Sequence, residues 1–481
     1  MNHARTLIAP SLMAALLAGC AAVGPNFKPP ASPTVTGYAM SGDAAPGAGI
    51  KFGAPAAGPW WNSFGPAALD TVEQQALAGS PTLAQADAAL KQAQASLAAA
   101  RGGLLPSVDA NAGVQRERLN LSSFGFSGGG AAFPSFSNNP EFSLYSLGGT
   151  VSFPLDIFGG QRRRVESADA QAESFARRSD AAALTLTGQV ATAAVQIAGL
   201  KAELAALDAI VKDDQETLDL ARKATSLGGG TSGGTITAYA QLAKDEALAP
   251  PVRQMLSVAR HRLALLVGKA PGDYTPPEFA LADFKAGAAP VAMPSELVHL
   301  RPDIQQAEAD LHVATAEVGV ATAALYPSIN LTGSLGLSAI TPDKIFQTQS
   351  VAYNLGAALA APIFDGGKRR AEREGARAAA RAALATYQRT VLVAFNQVAD
   401  GLQALAHDDE TAAANAKTLK AAEEYLRLAR IALKAGAIGI QPVIDGERQL
   451  ADARRTVVEI ETRRALDTVQ LIIASGARWR G

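Results

Sequence analysis

Four segments of the chain alternate between apolar residues and polar or small ones, with a period of two. They cover residues 107–115, 145–156, 328–337 and 351–363. This period predicts β-strands that have one apolar face and one polar face. Each segment has about the length of a transmembrane β-strand, which is roughly 9–11 residues. A soluble, half-buried sheet makes the same pattern, so the alternation alone leaves both kinds of sheet open.

The number of these segments limits what they can build in a membrane. A sheet cannot leave an open edge in hydrocarbon, because each unpaired backbone group there costs several kcal/mol. The smallest outer-membrane barrels use about eight strands, whereas this chain offers four segments. If these strands span a membrane, several chains must therefore share one barrel.

Two unusually long segments favour helices. Residues 162–227 and 368–434 contain no proline, and a helix of such a length would extend about 100 Å at ~1.5 Å per residue. Partner helices are predicted over about 235–267 and 442–475. An antiparallel coiled coil without a pore would show the same composition and stays an alternative. The glycines inside the two long segments are Gly188, Gly199, Gly375 and Gly401.

The two halves of the chain repeat each other. LLPSV at 104–108 matches LYPSI at 325–329, and VSFPLDIFGGQRRR at 151–164 matches AALAAPIFDGGKRR at 357–370. The order of landmarks is the same in each half, which indicates duplication of a whole structural unit rather than a solenoid of short repeats. The predicted units are a first repeat at 67–270, a linker at 271–295 and a second repeat at 296–481.

The N-terminus carries an export signal. Residues 1–19 contain one arginine, an apolar run from Leu7 to Leu17 and then Ala18-Gly19, which is the pattern of a secretory signal peptide. The run that ends in Cys20 resembles the bacterial lipobox, so Cys20 is predicted to be the lipidated first residue of the mature protein. An ordinary signal with a chance cysteine is the alternative. Ala21 follows, where an aspartate would favour retention in the inner membrane, so the outer membrane is expected.

The segment from 20 to 66 is rich in proline, glycine and alanine, and we interpret it as a lipid-anchored, extended N-terminal stretch. Trp60 and Trp61 end it, and helical patterning follows. Cys20 is the single cysteine, which excludes an intramolecular disulfide.

Charge and motifs argue against several classes of function. Lys plus Arg is 43 and Asp plus Glu is 44, for a net charge of −1, which does not suit a nucleic-acid partner. We find no apolar stretch of roughly 20 residues outside the N-terminus, so a helical transporter is not expected. The five histidines are scattered, and GTSGG at 230–234 follows a helix rather than the strand that a nucleophile elbow needs. Neither an enzyme nor a cofactor or metal site is predicted.

Several dispersed motifs together resemble the TolC-like outer membrane factor family, in its lipoprotein branch (NodT-type) serving RND efflux systems. The most specific is LRPDI at 300–304, which is followed by LYPSI at 325–329. The resemblance extends from Cys20 to Trp479. The remaining matching motifs are WNSF at 61–64, PLDIFG at 154–159, PIFDGG at 362–367 and QVADGL at 397–402.

The resemblance implies a fold that is mostly α with a transmembrane β-barrel. Three chains with four strands each would form a trimeric 12-stranded β-barrel, continued by a long periplasmic α-helical barrel, with an internal two-fold repeat in each chain. The homotrimer would lie in outer-membrane lipid and work with a periplasmic adaptor protein and an inner-membrane RND-type pump. It would be a passive conduit for drugs or other small molecules. The channel of a type I protein secretion system and a poreless coiled-coil lipoprotein are the alternatives.

The resemblance also implies a periplasmic gate. The family places an Asp and, three residues later, an Arg at the inner helical turn, and here Asp445 and Arg448 match. Their spacing puts both side chains on one helical face, and a solvated pair near a helix start is the alternative. The matching positions of the first repeat are Thr237 and Ala240, which carry no charge. The turn in that repeat, with its glycines at 228–234, is also predicted to be three residues longer.

Overall fold

The computed structural model describes residues 22–47, 49–53, 58–118 and 141–479. The predicted signal peptide and Cys20 lie outside these residues. In chain order the elements are β1 (Ile50–Phe52), α1 (Trp61–Phe64), α2 (Ala67–Gly79), α3 (Pro81–Gly102), β2 (Ser107–Arg118), β3 (Glu141–Leu155), α4 (Gly160–Ser226), α5 (Ser232–Glu246), α6 (Ala249–Leu266), β4 (Ala289–Val291), α7 (Pro294–Leu300), α8 (Pro302–Ala323), β5 (Ser328–Ala339), β6 (Val351–Ala360), α9 (Lys368–Lys434) and α10 (Gln441–Ala474).

The described chain divides into two units, each assembled from both halves of the sequence. The first unit gathers Lys91–Ala172 and Ala309–Leu384 with the described residues before Pro30, and it contains β2, β3, β5 and β6. The second unit contains Pro30–Leu90, Glu173–Glu308 and the chain from Ala385 onward, and it is mainly helical.

The four predicted strands form one antiparallel sheet in the order β2-β3-β5-β6. Its register places Val108, Val151, Gly333 and Leu355 side by side in one row across all four strands. Residues directly opposite each other in a sheet share a face, so this row is apolar. The sequence prediction of strands at these places is confirmed, although β6 ends at Ala360 rather than at 363.

The next row of the same sheet is polar. It joins Asp109, Thr150, Ser334 and Asn354 in register, and it lies on the opposite face because successive residues of a strand alternate. The sheet therefore separates an apolar face from a polar one. Within the described residues, β2 and β6 each pair with one neighbour and have one open edge.

The long helices α4 and α9 are confirmed, and each has 67 residues. Three of their four interior glycines allow α10 to approach closely. A Cβ at Gly188 would lie 3.1 Å from Ile473, one at Gly401 would lie 3.2 Å from Leu471, and one at Gly199 would overlap Thr462. These glycines therefore serve helix packing rather than helix termination.

The predicted single helix over 235–267 is wrong, because the structure divides it into α5 and α6. Pro250 and Pro251 lie in the first turn of α6. Proline lacks a backbone N–H and collides with the preceding turn, so it is tolerated at the start of a helix but not in its interior. The break falls at Ala247 and Leu248, just before this pair.

The core of the second unit also contains residues from the predicted N-terminal segment and linker. Trp60, Trp61 and Phe64 are buried there against residues of α4, α9 and α10. Strand β1 pairs in parallel with β4, which joins the 20–66 segment to the 271–295 linker. Neither short strand was predicted from the sequence.

One apolar stretch was missed in the sequence. Helix α4 includes 18 residues of mean hydropathy 1.4, half of which are buried. Val190, Val195 and Ile197 in this helix are buried in the main core. Their apolar character is therefore accounted for by packing inside the second unit.

Candidate gate and lipid-anchor sites

The two predicted gate residues lie close together near the start of α10. The Arg448 guanidinium is 3.8 Å from the Asp445 carboxylate, and both side chains are a little over two-fifths exposed. Gln441, in the first turn of the same helix, donates a hydrogen bond of 2.9 Å to Asp445. This geometry agrees with the i, i+3 spacing of the pair, and it leaves the gate role itself as a prediction.

Arg448 has a shorter contact that the sequence did not suggest. Its Nε donates to Oε1 of Gln241 on α5 over 2.6 Å. The amide of Gln241 in turn donates through Nε2 to Oδ2 of Asp245 over 2.7 Å. The candidate gate pair is thus connected to the first repeat through Gln241, rather than through Thr237 or Ala240. The Thr237 hydroxyl donates to the Gly233 carbonyl of its own helix.

Buried carboxyl groups surround this connection. Asp214 on α4, Asp245 on α5 and Glu447 on α10 are each at most 6% exposed. Glu447 accepts hydrogen bonds from Thr217 over 2.5 Å and from Arg430 over 3.0 Å. These two donors balance the Glu447 carboxylate, whereas Oδ2 of Asp214 has no hydrogen-bond partner among the described residues.

Two of these acids have raised pKa values. Burial, followed by the hydrogen bond with Asp245 and the charge of that residue, raises the pKa of Asp214 to about 8. Burial also raises the pKa of Glu447, although the hydrogen bonds from Thr217 and Arg430 oppose that shift. The region around the candidate gate therefore holds one carboxyl group that keeps its proton at neutral pH.

The glycine-rich turn is shorter than the sequence indicated. Helix α5 begins at Ser232, so Gly233 and Gly234 lie in its first turn, and the Thr231 hydroxyl caps that turn by accepting from the Gly234 amide. Gly228 takes the left-handed conformation that ends α4, with φ of +81°. Residues 227–231 join α4 to α5, whereas residues 435–440 join α9 to α10. The additional residues of the first repeat therefore lie in helix rather than in the turn, because α4 continues beyond Lys223, whereas α9 ends at Lys434.

The first unit contains a binding site for the segment that follows the predicted lipidation residue. Arg163 is buried, and its guanidinium donates to the carbonyl oxygens of Ala22, Val23 and Gly24 and, over 2.7 Å, to Oδ1 of Asn26. Glu166 pairs with Arg163 over 2.6 Å. One buried guanidinium, with its several donors in a fixed plane, thus holds a short stretch of backbone by hydrogen bonds.

Two further contacts fix the same segment. The Val23 amide donates to the Phe158 carbonyl over 3.1 Å. The Phe27 ring stacks on His312 with centroids 4.3 Å apart, and Nε2 of His312 lies 3.1 Å from Glu166. The backbone before Pro29 is therefore held by α4 and α8. Composition alone had indicated an extended stretch, without these contacts.

The LRPDI run at 300–304 has a structural role in this chain. Arg301 is buried, forms an ion pair of 2.7 Å with Asp303, and donates to the Ala474 carbonyl over 2.9 Å. It thereby satisfies one of the carbonyl groups that every helix leaves unpaired at its C-terminal end, here that of α10. The motif joins α7 and α8 to the end of the chain.

The described residues contain no group of three or more His, Cys, Asp or Glu side chains that could hold a metal ion. Ser232 of the GTSGG run is the first residue of α5 and follows a turn, not a strand. Comparison with known proteins agrees with a channel, since the matching family and structures are outer-membrane channels.

The family model described as outer membrane efflux protein matches residues 72–269 and 293–477. The pyoverdine export outer membrane protein OpmQ of Pseudomonas aeruginosa is 30% identical over 421 residues, covering 88% of this chain and 87% of that protein. Nodulation protein T of Rhizobium leguminosarum bv. viciae is 28% identical over 479 residues, covering 97% of this chain and 92% of that protein.

Solved structures give the same result. The outer-membrane channel OprN superposes with a TM-score of 0.84 at 26% identity, covering 95% of this chain and all of that one. The open state of the MtrE channel of Neisseria gonorrhoeae superposes with a TM-score of 0.83 at 25% identity, covering 95% of this chain and 98% of that one. The resemblance to the TolC-like outer membrane factors is confirmed: the chain belongs to the outer membrane efflux protein family and is an outer-membrane channel subunit of a tripartite efflux system.

Proposed function

We propose that the protein is a lipid-anchored homotrimer that works with a periplasmic adaptor and an inner-membrane RND-type pump as a passive conduit for small organic molecules. The observation that carries this proposal is the four-stranded sheet, with its apolar face and its two open edges. Open edges cannot remain in hydrocarbon. Three such sheets, joined edge to edge, give a closed barrel of twelve strands, within the range of known outer-membrane barrels.

The proposed anchor is supported by the Arg163 site. Ala22 is two residues from Cys20, so the lipidated residue can lie at most ~7 Å farther along the chain. Because Val23 is bonded to Phe158, between β3 and α4, the acyl chains would enter the membrane near that end of the sheet. We also propose that residues 1–19 are removed as a signal peptide. The two repeats are proposed to have arisen by duplication of one structural unit, and they cover residues 67–270 and 296–481.

Labelled palmitate tests the anchor. Cys20→Ser should abolish incorporation of the label, and label retained in that variant would contradict lipidation. Arg163→Ala should expose residues near Asn26 to protease, because their main hydrogen-bond donor is gone. Arg164→Ala is the matched control, since the Arg164 side chain is exposed and its guanidinium bonds to Gln161 in its own helix.

Small-molecule efflux is favoured over protein secretion by the nature of the relatives, since OpmQ is described as a pyoverdine exporter. A deletion strain tested against a panel of drugs and dyes measures this directly. Increased sensitivity to several small compounds with normal protein secretion supports efflux. Loss of a secreted protein with unchanged drug sensitivity would support a type I secretion channel instead.

We also propose that Asp445 and Arg448 form the periplasmic gate. Repeated in three subunits, the pair would make a ring of charges close to the channel axis. One exposed ion pair contributes only ~0.2–1 kcal/mol, so partner proteins could release the ring. Asp445→Ala combined with Arg448→Ala should raise single-channel conductance and sensitise cells to large antibiotics such as vancomycin. Conductance equal to that of the wild type would remove the gate assignment.

A further inference from the structure

A continuous line of hydrogen bonds leads from the candidate gate into the helical bundle. Arg448 donates to Gln241 over 2.6 Å, and Gln241 donates to Asp245 over 2.7 Å. Asp214 on α4 and Asp245 are both buried, and the interaction with the Asp245 side chain contributes to the raised pKa of Asp214. The orientation of the Gln241 amide, and with it the position of the Arg448 guanidinium, therefore depends on where the Asp245 carboxyl lies.

The two buried acids at the end of this line need a proton between them. Two ionised carboxylates have no hydrogen to share, and they repel each other strongly when both are buried among the same helices. The surroundings are also dry, because Leu218, Leu242 and Ile444 form a buried apolar cluster on the same three helices. One proton held between Asp214 and Asp245 turns this repulsion into a hydrogen bond.

The neighbouring cations are bound elsewhere. Arg430 on α9 bonds to Glu447 on α10 and lies 3.9 Å from Asp213. Arg454 on α10 lies 3.4 Å from the same Asp213. The charges that act on Asp214 are those of Asp245, Glu447 and Asp213, and all of them disfavour its ionised form. Thr217 on α4 donates to Glu447, so its hydroxyl does not serve the acid pair.

We propose that Asp214 and Asp245 form a proton-binding site that positions Gln241 and thereby holds Arg448 in the closed gate. This inference rests on the gate assignment made above. With the proton bound, α4 and α5 stay in contact through the acid pair, and Gln241 keeps its acceptor oxygen directed at Arg448. When the proton leaves, the two carboxylates separate, Gln241 loses its fixed acceptor, and Arg448 is released.

The direction of the pH dependence follows from the raised pKa of Asp214, which is about 8. Below that pH the closed arrangement keeps its proton and is favoured. Above it, the equilibrium between closed and open channels should shift towards open by up to about tenfold per pH unit, because one proton is released on opening.

The test is single-channel recording of the full-length protein between pH 6 and pH 10. The open probability of the wild type should rise above about pH 8. Asp214→Asn should stay closed throughout, since its amide donates to Asp245 without needing a titrating proton. Asp245→Asn serves as the second variant if the first does not assemble. Asp219→Asn is the matched control, because Asp219 is an exposed acid on the same helix. The open probability of this variant should rise with pH as it does in the wild type.

Infrared spectroscopy supplies a readout independent of conductance. The protonated-carboxyl absorption of the wild type should decrease above about pH 8, and Asp214→Asn should lack that decrease, while the absorption of buried Glu73 is common to both proteins. The proposed proton site is overturned if the open probability of the wild type does not rise with pH. It is also overturned if the open probability of Asp214→Asn rises in the same way as that of the wild type. The double variant Asp445→Ala with Arg448→Ala separates the two proposals. If this variant conducts more than the wild type at every pH, the gate assignment is supported even where the proton-site proposal fails.

Discussion

Replacing Leu355 by arginine should prevent assembly of the channel in the membrane. Leu355 is the fifth of the ten residues of β6, and its side chain is 82% exposed in the single chain. It extends the apolar row that contains Val151 and Gly333, so we expect it to face lipid close to the middle of the sheet. An arginine at the bilayer midplane costs about 2–4 kcal/mol in a β-barrel. Because three copies at distant sites add, the cost per trimer is about 6–12 kcal/mol.

The assay is heat-modifiable gel mobility of outer-membrane fractions, which separates assembled trimers from monomers. The control is Asn354→Arg, in the neighbouring residue of the same strand, whose side chain belongs to the polar row. That variant should assemble, because an arginine there meets water in the channel. Equal amounts of trimer from Leu355→Arg and Asn354→Arg would refute the assignment of the two faces, and with it the lipid contact of β6.

Three further predictions concern buried groups in the second unit. Glu73 is fully buried, neither of its carboxylate oxygens has a hydrogen-bond partner among the described residues, and burial holds its pKa well above the ordinary 4.5. The folded state therefore keeps a proton that the unfolded chain releases, so wild-type stability should fall as the pH rises above 4.5. In thermal unfolding, Glu73→Met should be more stable by about 1–3 kcal/mol at pH 8, and its gain should shrink at pH 4; a gain independent of pH would contradict this. Gly446→Ala places a Cβ 3.0 Å from the Tyr425 ring and should cost about 1–3 kcal/mol. Gly439→Ala, whose Cβ would meet no described atom within 4 Å, should cost less. Arg301→Leu should lose about 1.5–3 kcal/mol and accelerate amide exchange in the last turn of α10; unchanged exchange there would show that Arg301 does not hold that turn.

The sheet and the long helices could be predicted because their signals are local and repeated. Each strand shows its alternation over about ten residues, and α9 has the predicted bounds because nothing between Lys368 and Lys434 interrupts a helix. The break before α6 was also present in the sequence, as Pro250 and Pro251, and a stricter use of that signal would have found it. The pairing of β1 with β4 left no pattern to detect, since each strand has three residues.

The candidate site was predictable only in part, for a different reason. Asp445 and Arg448 lie on one face because they belong to one helix, so their spacing suffices. The bond from Arg448 to Gln241 joins residues 207 positions apart, and no local pattern reports such a contact. The same holds for the Asp214–Asp245 pair, whose chemistry depends on burial between helices. The gate role of Asp445 and Arg448 stays a prediction.

The polar face of the sheet has a consequence for what the channel can select. Several of its rows are built from short side chains, such as Thr150 and Ser334, and Gly148 lies directly opposite Gly336. A wall of this kind offers few groups long enough to reach a solute passing near the centre of a wide pore. We therefore expect discrimination among cargo molecules to occur before they reach the strands, and we expect this part of the wall to limit cargo size rather than to recognise cargo chemistry.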